Sequence, residues 1–172
     1  MKKIRFYFDK DKEEKWINEM SQRGYAFERF FLGLYTFMPC EPGAFHYQID
    51  LLENDNQKEK DFLELMEETE VEIVARWYRW VFLRRSTELG EFQLYSDNAS
   101  KATQYERLGR FYVLLMLLEV LCSWSIINSA INQSSLKTFF SFFTLLIIFF
   151  IILFAILTIK SFSKAKELRK EL

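Results

Sequence analysis

KWINEMSQRGYAFERFFLGLYTFM, residues 15–38, returns in pattern 46 residues later as DFLELMEETEVEIVARWYRWVFLR, residues 61–84. Few positions are identical, but the apolar ones coincide without a gap. Trp16 falls on Phe62, Ile17 on Leu63, Met20 on Met66, Phe27 on Ile73, Phe31 on Trp77 and Phe37 on Leu83. In each copy the apolar spacing changes from a helical period to a strand period. Asp9 or Asp11 can cap a helix that Gly24 ends, and Asn54-Asp55-Asn56 opens the second helix. Tyr25–Phe31 and Leu34–Met38 then read as strands turning near Gly33, and Val71–Trp77 and Trp80–Arg84 repeat them. A strand precedes each helix, at Ile4–Phe8 and at Phe45–Leu52. The fold class expected is α+β: two βαββ units in one six-stranded, antiparallel-rich sheet with two helices on one face. A single ferredoxin-like domain with extra strands is the alternative. Phe92–Tyr95 adds an expected edge strand, and Ser96-Asp97-Asn98 caps a new helix through Lys101, Gln104 and Arg107.

Beyond this part the composition changes. Phe111–Ile131 is 21 residues long with one charge, Glu119, and Phe139–Ile159 is 21 residues long with none. Each spans about 30 Å as a helix, the thickness of a bilayer's hydrocarbon core. The polar turn 132–138 between them makes the two helices antiparallel neighbours. Lys101, Arg107 and Arg110 flank the first span, and Lys160, Lys164, Lys166, Arg169 and Lys170 follow the second, whereas the turn holds only Lys137. Basic flanks stay inside, so both termini are expected in the cytoplasm and the turn outside. The Asn132-Gln133-Ser134 sequon in that turn is a chance match so close to the membrane.

The expected domains are therefore 1–96, a cytoplasmic α+β domain; 97–110, a connecting helix; 111–159, a transmembrane hairpin (111–131 and 139–159); and 160–172, a basic cytoplasmic tail. The connecting helix is expected to run into the first span, with a bend at Gly109. Residues 1–107 carry 16 Lys+Arg against 21 Asp+Glu. That acidic balance argues against a direct nucleic-acid binder, which needs a basic footprint. Cys40 and Cys122 have neither disulfide nor zinc spacing and read as two unpaired thiols. The residues 4–9 are too short and too charged for a secretory signal.

Chemistry-bearing patterns are few. His46 is the only histidine, and it lies in no nucleophile context. No phosphate loop, dinucleotide fingerprint or metalloprotease motif occurs. The expectation is accordingly no enzyme, no catalytic residue, no cofactor and no metal. Arg76, Arg79, Arg84 and Arg85, interleaved with Trp77, Tyr78 and Trp80, are the partner-binding candidates. Strand alternation turns about half of that run into the core. Glu119 lies about 12 Å into its helix, where a carboxylate is costly unless partnered. Cys122 and Ser123 share its side, so Glu119, Cys122 and Ser123 are the intramembrane contact candidates, and they admit a homo-oligomer.

Four stretches together resemble a known family: 14–24 around Trp16-Ile17-Asn18, Glu41–Tyr47, Trp80–Arg85, and Leu94-Tyr95-Ser96-Asp97-Asn98-Ala99-Ser100-Lys101. The family is the uncharacterised bacterial membrane-protein family catalogued as domain of unknown function twenty-eight-twelve, and the resemblance covers roughly residues 3–107. Its most specific part is the stretch 95–101. The second repeat has Glu70-Val71 where a Gly-Trp pair is expected after the helix. The resemblance implies encoding beside PadR-like winged-helix repressors, hence a regulatory partnership. The function expected is a membrane-anchored interaction protein whose cytoplasmic domain binds a PadR-like repressor and sequesters or releases it. An accessory subunit of a transporter or other membrane complex is the alternative.

Overall fold

The computed structural model describes residues 1–90, 92–132 and 137–171, with backbone alone for 125–132 and 137–141. The chain divides into two compact units, Met1–Ser96 and Asp97–Leu172. The first is mixed α+β, with the element order βαββ twice: β1 (Lys2–Ile4), α1 (Lys10–Gln22), β2 (Tyr25–Phe31), β3 (Leu34–Pro39), then β4 (Phe45–Leu51), α2 (Asn56–Glu68), β5 (Glu72–Trp77) and β6 (Trp80–Ser86). The 46-residue offset carries through the local physics. Asp9 caps α1 by accepting from Asp11 N, and Asp55 caps α2 by accepting from Gln57 N and Lys58 N. Gly24 and Glu70, one residue beyond the two C-caps, both take left-handed backbone, with φ 81° and 57°. Each β2–β3-type hairpin is also irregular at one matching place, between Phe27 and Arg29 and between Ile73 and Ala75.

The strands form two three-stranded antiparallel sheets, ordered β1–β3–β2 and β4–β6–β5. This corrects the expected single six-stranded sheet and its ferredoxin-like alternative. The two helices do not share one face either. One core gathers Trp16, Ile17 and Met20 of α1 with Phe27, Tyr35 and Phe37, and adds Tyr47, Ile49 and Phe82. The other gathers Met66 and Phe62 of α2 with Ile73, Val81 and Leu83. Phe82 thus points away from its neighbours Val81 and Leu83, and β6 serves a core on each side. The second sheet has apolar residues on both faces and must bury both.

Helix α1 also closes an edge. Asn18 Nδ2 donates to Tyr47 O (2.8 Å), and Tyr47 N donates to Asn18 Oδ1 (2.9 Å). Ile49 N donates to Glu14 Oε2 (2.9 Å), and Ser21 Oγ donates to Phe45 O (2.7 Å). The outward backbone groups of β4 are thereby paired by helix side chains, which blunts an edge strand.

Two smaller expectations also change. β1 covers Lys2–Ile4 and stops before Phe8. Phe92–Tyr95 forms no strand. The Gln48 amide takes the place of a ladder there: its Nε2 donates to Phe92 O (3.1 Å), and its Oε1 accepts from Leu94 N (2.7 Å).

The second unit consists of α3 (Asn98–Asn132) and α4 (Lys137–Lys170). They run antiparallel, with Tyr112 stacked on Phe154 at 6.4 Å, Ala102 buried with Ala165 and Leu168, and Arg169 paired to Glu106 at 2.8 Å. α3 passes through Gly109 as one helix. A Cβ on Gly109 would lie 2.9 Å from the Phe162 ring, so this glycine serves close helix contact. Among the described residues one helix, Phe142–Lys170, is long and apolar enough to cross a membrane, and little of its most apolar stretch is buried. Part of the expected span 111–131 lies outside the described side chains, as do the first three residues of 139–159.

Two stability changes follow. Asn18→Ala strands the N–H and C=O of buried Tyr47 and should cost on the order of 2 kcal/mol, read by urea unfolding of the detergent-solubilised chain. Glu70→Gly relieves a left-handed non-glycine backbone and should stabilise by about 1 kcal/mol in the same titration.

Candidate functional site

The four arginines proposed as one surface are distributed by the fold. Arg84 is held from several sides: it pairs with Glu72 at 2.7 Å and Glu28 at 3.0 Å, and its guanidinium lies 4.5 Å from the Phe45 ring centroid. Its charged form is strongly held, because bonds to Glu72, Glu28 and Tyr47 outweigh the burial that opposes it, and its pKa lies above the usual guanidinium range. Arg79 is turned inward and bonds Leu52 O. Arg76 is exposed and paired with Glu59 at 2.7 Å. Arg85 points to the pleat face opposite Arg84, and its Nε is buried without a hydrogen-bond partner among the described residues. Arg84 is therefore a structural hub, and the four do not make one patch. His46 is exposed on β4.

The most perturbed carboxyl was not among the expected residues. Glu13, one turn into α1, accepts from Tyr35 Oη at 2.5 Å. Burial pushes its pKa up to about 7, and the Tyr35 bond only partly opposes this. Burial beside this carboxyl also drives the Tyr35 phenol well above its ordinary range. Around the pair stand Trp16, 4.9 Å from Tyr35 between ring centroids, and Tyr7, 5.6 Å from Trp16. Arg5 covers the Trp16 face at 4.8 Å and donates to Tyr7 Oη at 2.9 Å. The sequence signal was weak, since Glu13 lies in a charged helix start. Its position three residues before Trp16 was the clue that it shares the buried face.

The stretch 95–101 does two separate things. Tyr95 Oη donates to Asp50 Oδ2 at 2.8 Å, and Asp50 is fully buried. Asp97 Oδ1 accepts from Ser100 N at 2.8 Å and opens α3. That backbone bond holds the exposed Asp97 carboxyl below its ordinary range.

In α3, Ser123 is buried and Cys122 exposed, so the candidates on that helix divide between two directions. Ser123 Oγ donates back to Glu119 O at 2.6 Å. Glu119 Oε2 is buried with no hydrogen-bond partner among the described residues. Cys40 is free and half-buried, and burial pushes its thiol up. Among the described residues no group of three His, Cys, Asp or Glu could hold a metal ion.

The arrangement defines a duplicated βαββ module joined to a pair of long helices, one of them apolar enough to cross a membrane. The family described as protein of unknown function (DUF2812) matches residues 9–117, and the chain belongs to that family. The match starts at the α1 cap and runs past the module into α3. No curated protein and no solved structure matches the chain.

Glu13 makes the fold pH-sensitive in a defined direction. A carboxyl raised from 4.5 to about 7 binds its proton more tightly folded than unfolded. Stability should fall as pH rises through that window and then level off. Glu13→Gln should remove on the order of 2 kcal/mol of that slope, measured by urea unfolding between the two pH limits. An unchanged slope would show that another group carries it.

Proposed function

We propose that the chain is a membrane-anchored interaction module, with both termini in the cytoplasm and two spans at 111–131 and 139–159. The observation that carries this reading is the helix Phe142–Lys170: apolar, long enough to cross a bilayer, and largely uncovered by the rest of the chain. Its basic end, with Lys164, Lys166, Arg169 and Lys170, supports the cytoplasmic placement of the termini. Unit Met1–Ser96 would then present its surface to a soluble protein. The partner proposed is a PadR-like repressor, a class implied by the family resemblance. A repressor held at the membrane is withdrawn from DNA by mass action, and its release restores it. Glu119 Oε2, without a hydrogen-bond partner among the described residues, favours a second reading, in which α3 meets a helix of another copy or of a larger membrane complex.

The topology and the partner are tested together. A reporter active only outside the membrane should be silent when fused after Leu172 and active when inserted at Ser134. A purified PadR-like repressor should float with proteoliposomes containing the chain and stay behind with empty ones. The reversed reporter pattern overturns the orientation, and equal flotation overturns the partner.

A further inference from the structure

The two repeats use equivalent faces differently. In the second sheet, the pleat face carrying Phe82 is buried in a core. Its counterpart in the first sheet is set by the strand register. Ile4, Leu34 and Phe31 form one row, and Lys2, Thr36 and Arg29 the next. Ile4 is 72% exposed and Phe31 63%. At the β2–β3 turn Leu32 is 57% exposed, and Phe6, also 72% exposed, lies over Gly33, whose added Cβ would come within 2.6 Å of that ring. The matching turn of the second repeat is close, since Phe30 and Trp77 lie 6.1 Å apart, and it exposes Tyr78. Large apolar side chains therefore gather where both hairpins turn, outside either core.

Beside the second of these turns Glu59 pairs with Arg76, whereas around the first the exposed charge is cationic. Lys2, Lys3, Arg5 and Arg29 are exposed there. Glu28 is the single acidic residue in the three strands of this sheet, and Arg84 binds it at 3.0 Å. Aromatic and aliphatic side chains among Lys and Arg match the headgroup region of an anionic bilayer. A second copy fits less well, because a two-fold contact would set these cations against one another.

We propose that this hairpin-turn end of the Met1–Ser96 unit docks on an anionic lipid surface, through Ile4, Phe6, Phe31 and Leu32 and with Lys2 and Lys3 as the charge contacts. The inference rests on the anchoring reading above: a chain held by α4 keeps this surface near a bilayer, so a weak docking contact is sufficient. Docking would leave the opposite end of the module, with the C-terminal end of α2 around Glu67, for a soluble partner. Release from the lipid would change which faces that partner can reach.

The test uses the full chain in nanodiscs, with Cys40→Ser and Cys122→Ser and one nitroxide-labelled cysteine at a time: Leu32→Cys, Ile152→Cys in α4, or Glu67→Cys on exposed α2. Discs contain phosphatidylcholine alone or mixed with phosphatidylglycerol. Relaxation by oxygen marks lipid contact, and relaxation by an aqueous nickel chelate marks water contact. In mixed discs the label at 32 should behave like that at 152 and unlike that at 67. Phosphatidylcholine alone, or Lys2→Gln with Lys3→Gln, should lower the ratio of docked to undocked module, the double variant by roughly thirtyfold. A label at 32 in water while that at 152 stays in lipid overturns the docking and spares the anchor. A label at 152 also in water overturns the anchor, and the docking with it. Shielding of position 32 from both reagents overturns the lipid assignment in favour of a protein, a second copy if discs holding a single chain lose the effect.

Discussion

An edge strand has to place its outward N–H and C=O groups somewhere, and in this module β4 places them on α1. Asn18 pairs both backbone groups of Tyr47, while Glu14 and Ser21 take its neighbours in register. The Tyr47 phenol then accepts from Phe27 N at 2.9 Å, beside the irregularity in β2. One residue of the second repeat thus closes the edge left by its own sheet and the gap left by the first. Buried backbone groups without partners are costly, so these bonds fix how the two repeats fit.

From that fit comes the unequal use of a duplicated pattern. The first core has to accommodate Tyr47, Ile49 and Phe82 as well as its own helix and strands. The second is closed by α2 and by Phe92 and Leu94. Equivalent positions then do unlike work. Arg84 stands 46 residues after Met38; Met38 is exposed, whereas Arg84 ties the irregular part of β2 to β5 through Glu28 and Glu72. Leu32 and Tyr78 are both turn residues with positive φ, and both remain exposed. The repeat preserves backbone geometry and changes side-chain duty.

This division also shows what was legible in the amino-acid order. Caps, helices and hairpins could be placed because each depends on local spacing: Asp9 and Asp55 begin helices, and apolar residues recur at helical and then strand intervals. Sheet count could not be placed that way, because pairing between strands is not local. A clue was nevertheless present. Trp80-Val81-Phe82-Leu83 is an unbroken apolar run, the mark of a strand buried on both faces, whereas Leu34-Tyr35-Thr36-Phe37 alternates more. Among the site candidates, alternation separates Arg84 from Arg85 along β6. It could not find the Glu13–Tyr35 pair, whose members are 22 residues apart and meet only through packing.

The stretch 95–101, the most specific part of the family resemblance, is explained by the same physics. Tyr95 must reach a buried carboxylate, Asp50, and two residues later Asp97 must accept the first free N–H groups of α3. A phenol and a capping acceptor at that fixed spacing are demanding requirements, and the boundary between the two compact units falls between them. Neither group is arranged as a nucleophile or as a general base toward an open site. Both side chains therefore serve the folding of the chain at a domain boundary. Function is better sought where the fold leaves strong physical features unsatisfied: on the uncovered cationic and apolar turn end, and on the apolar length of α4.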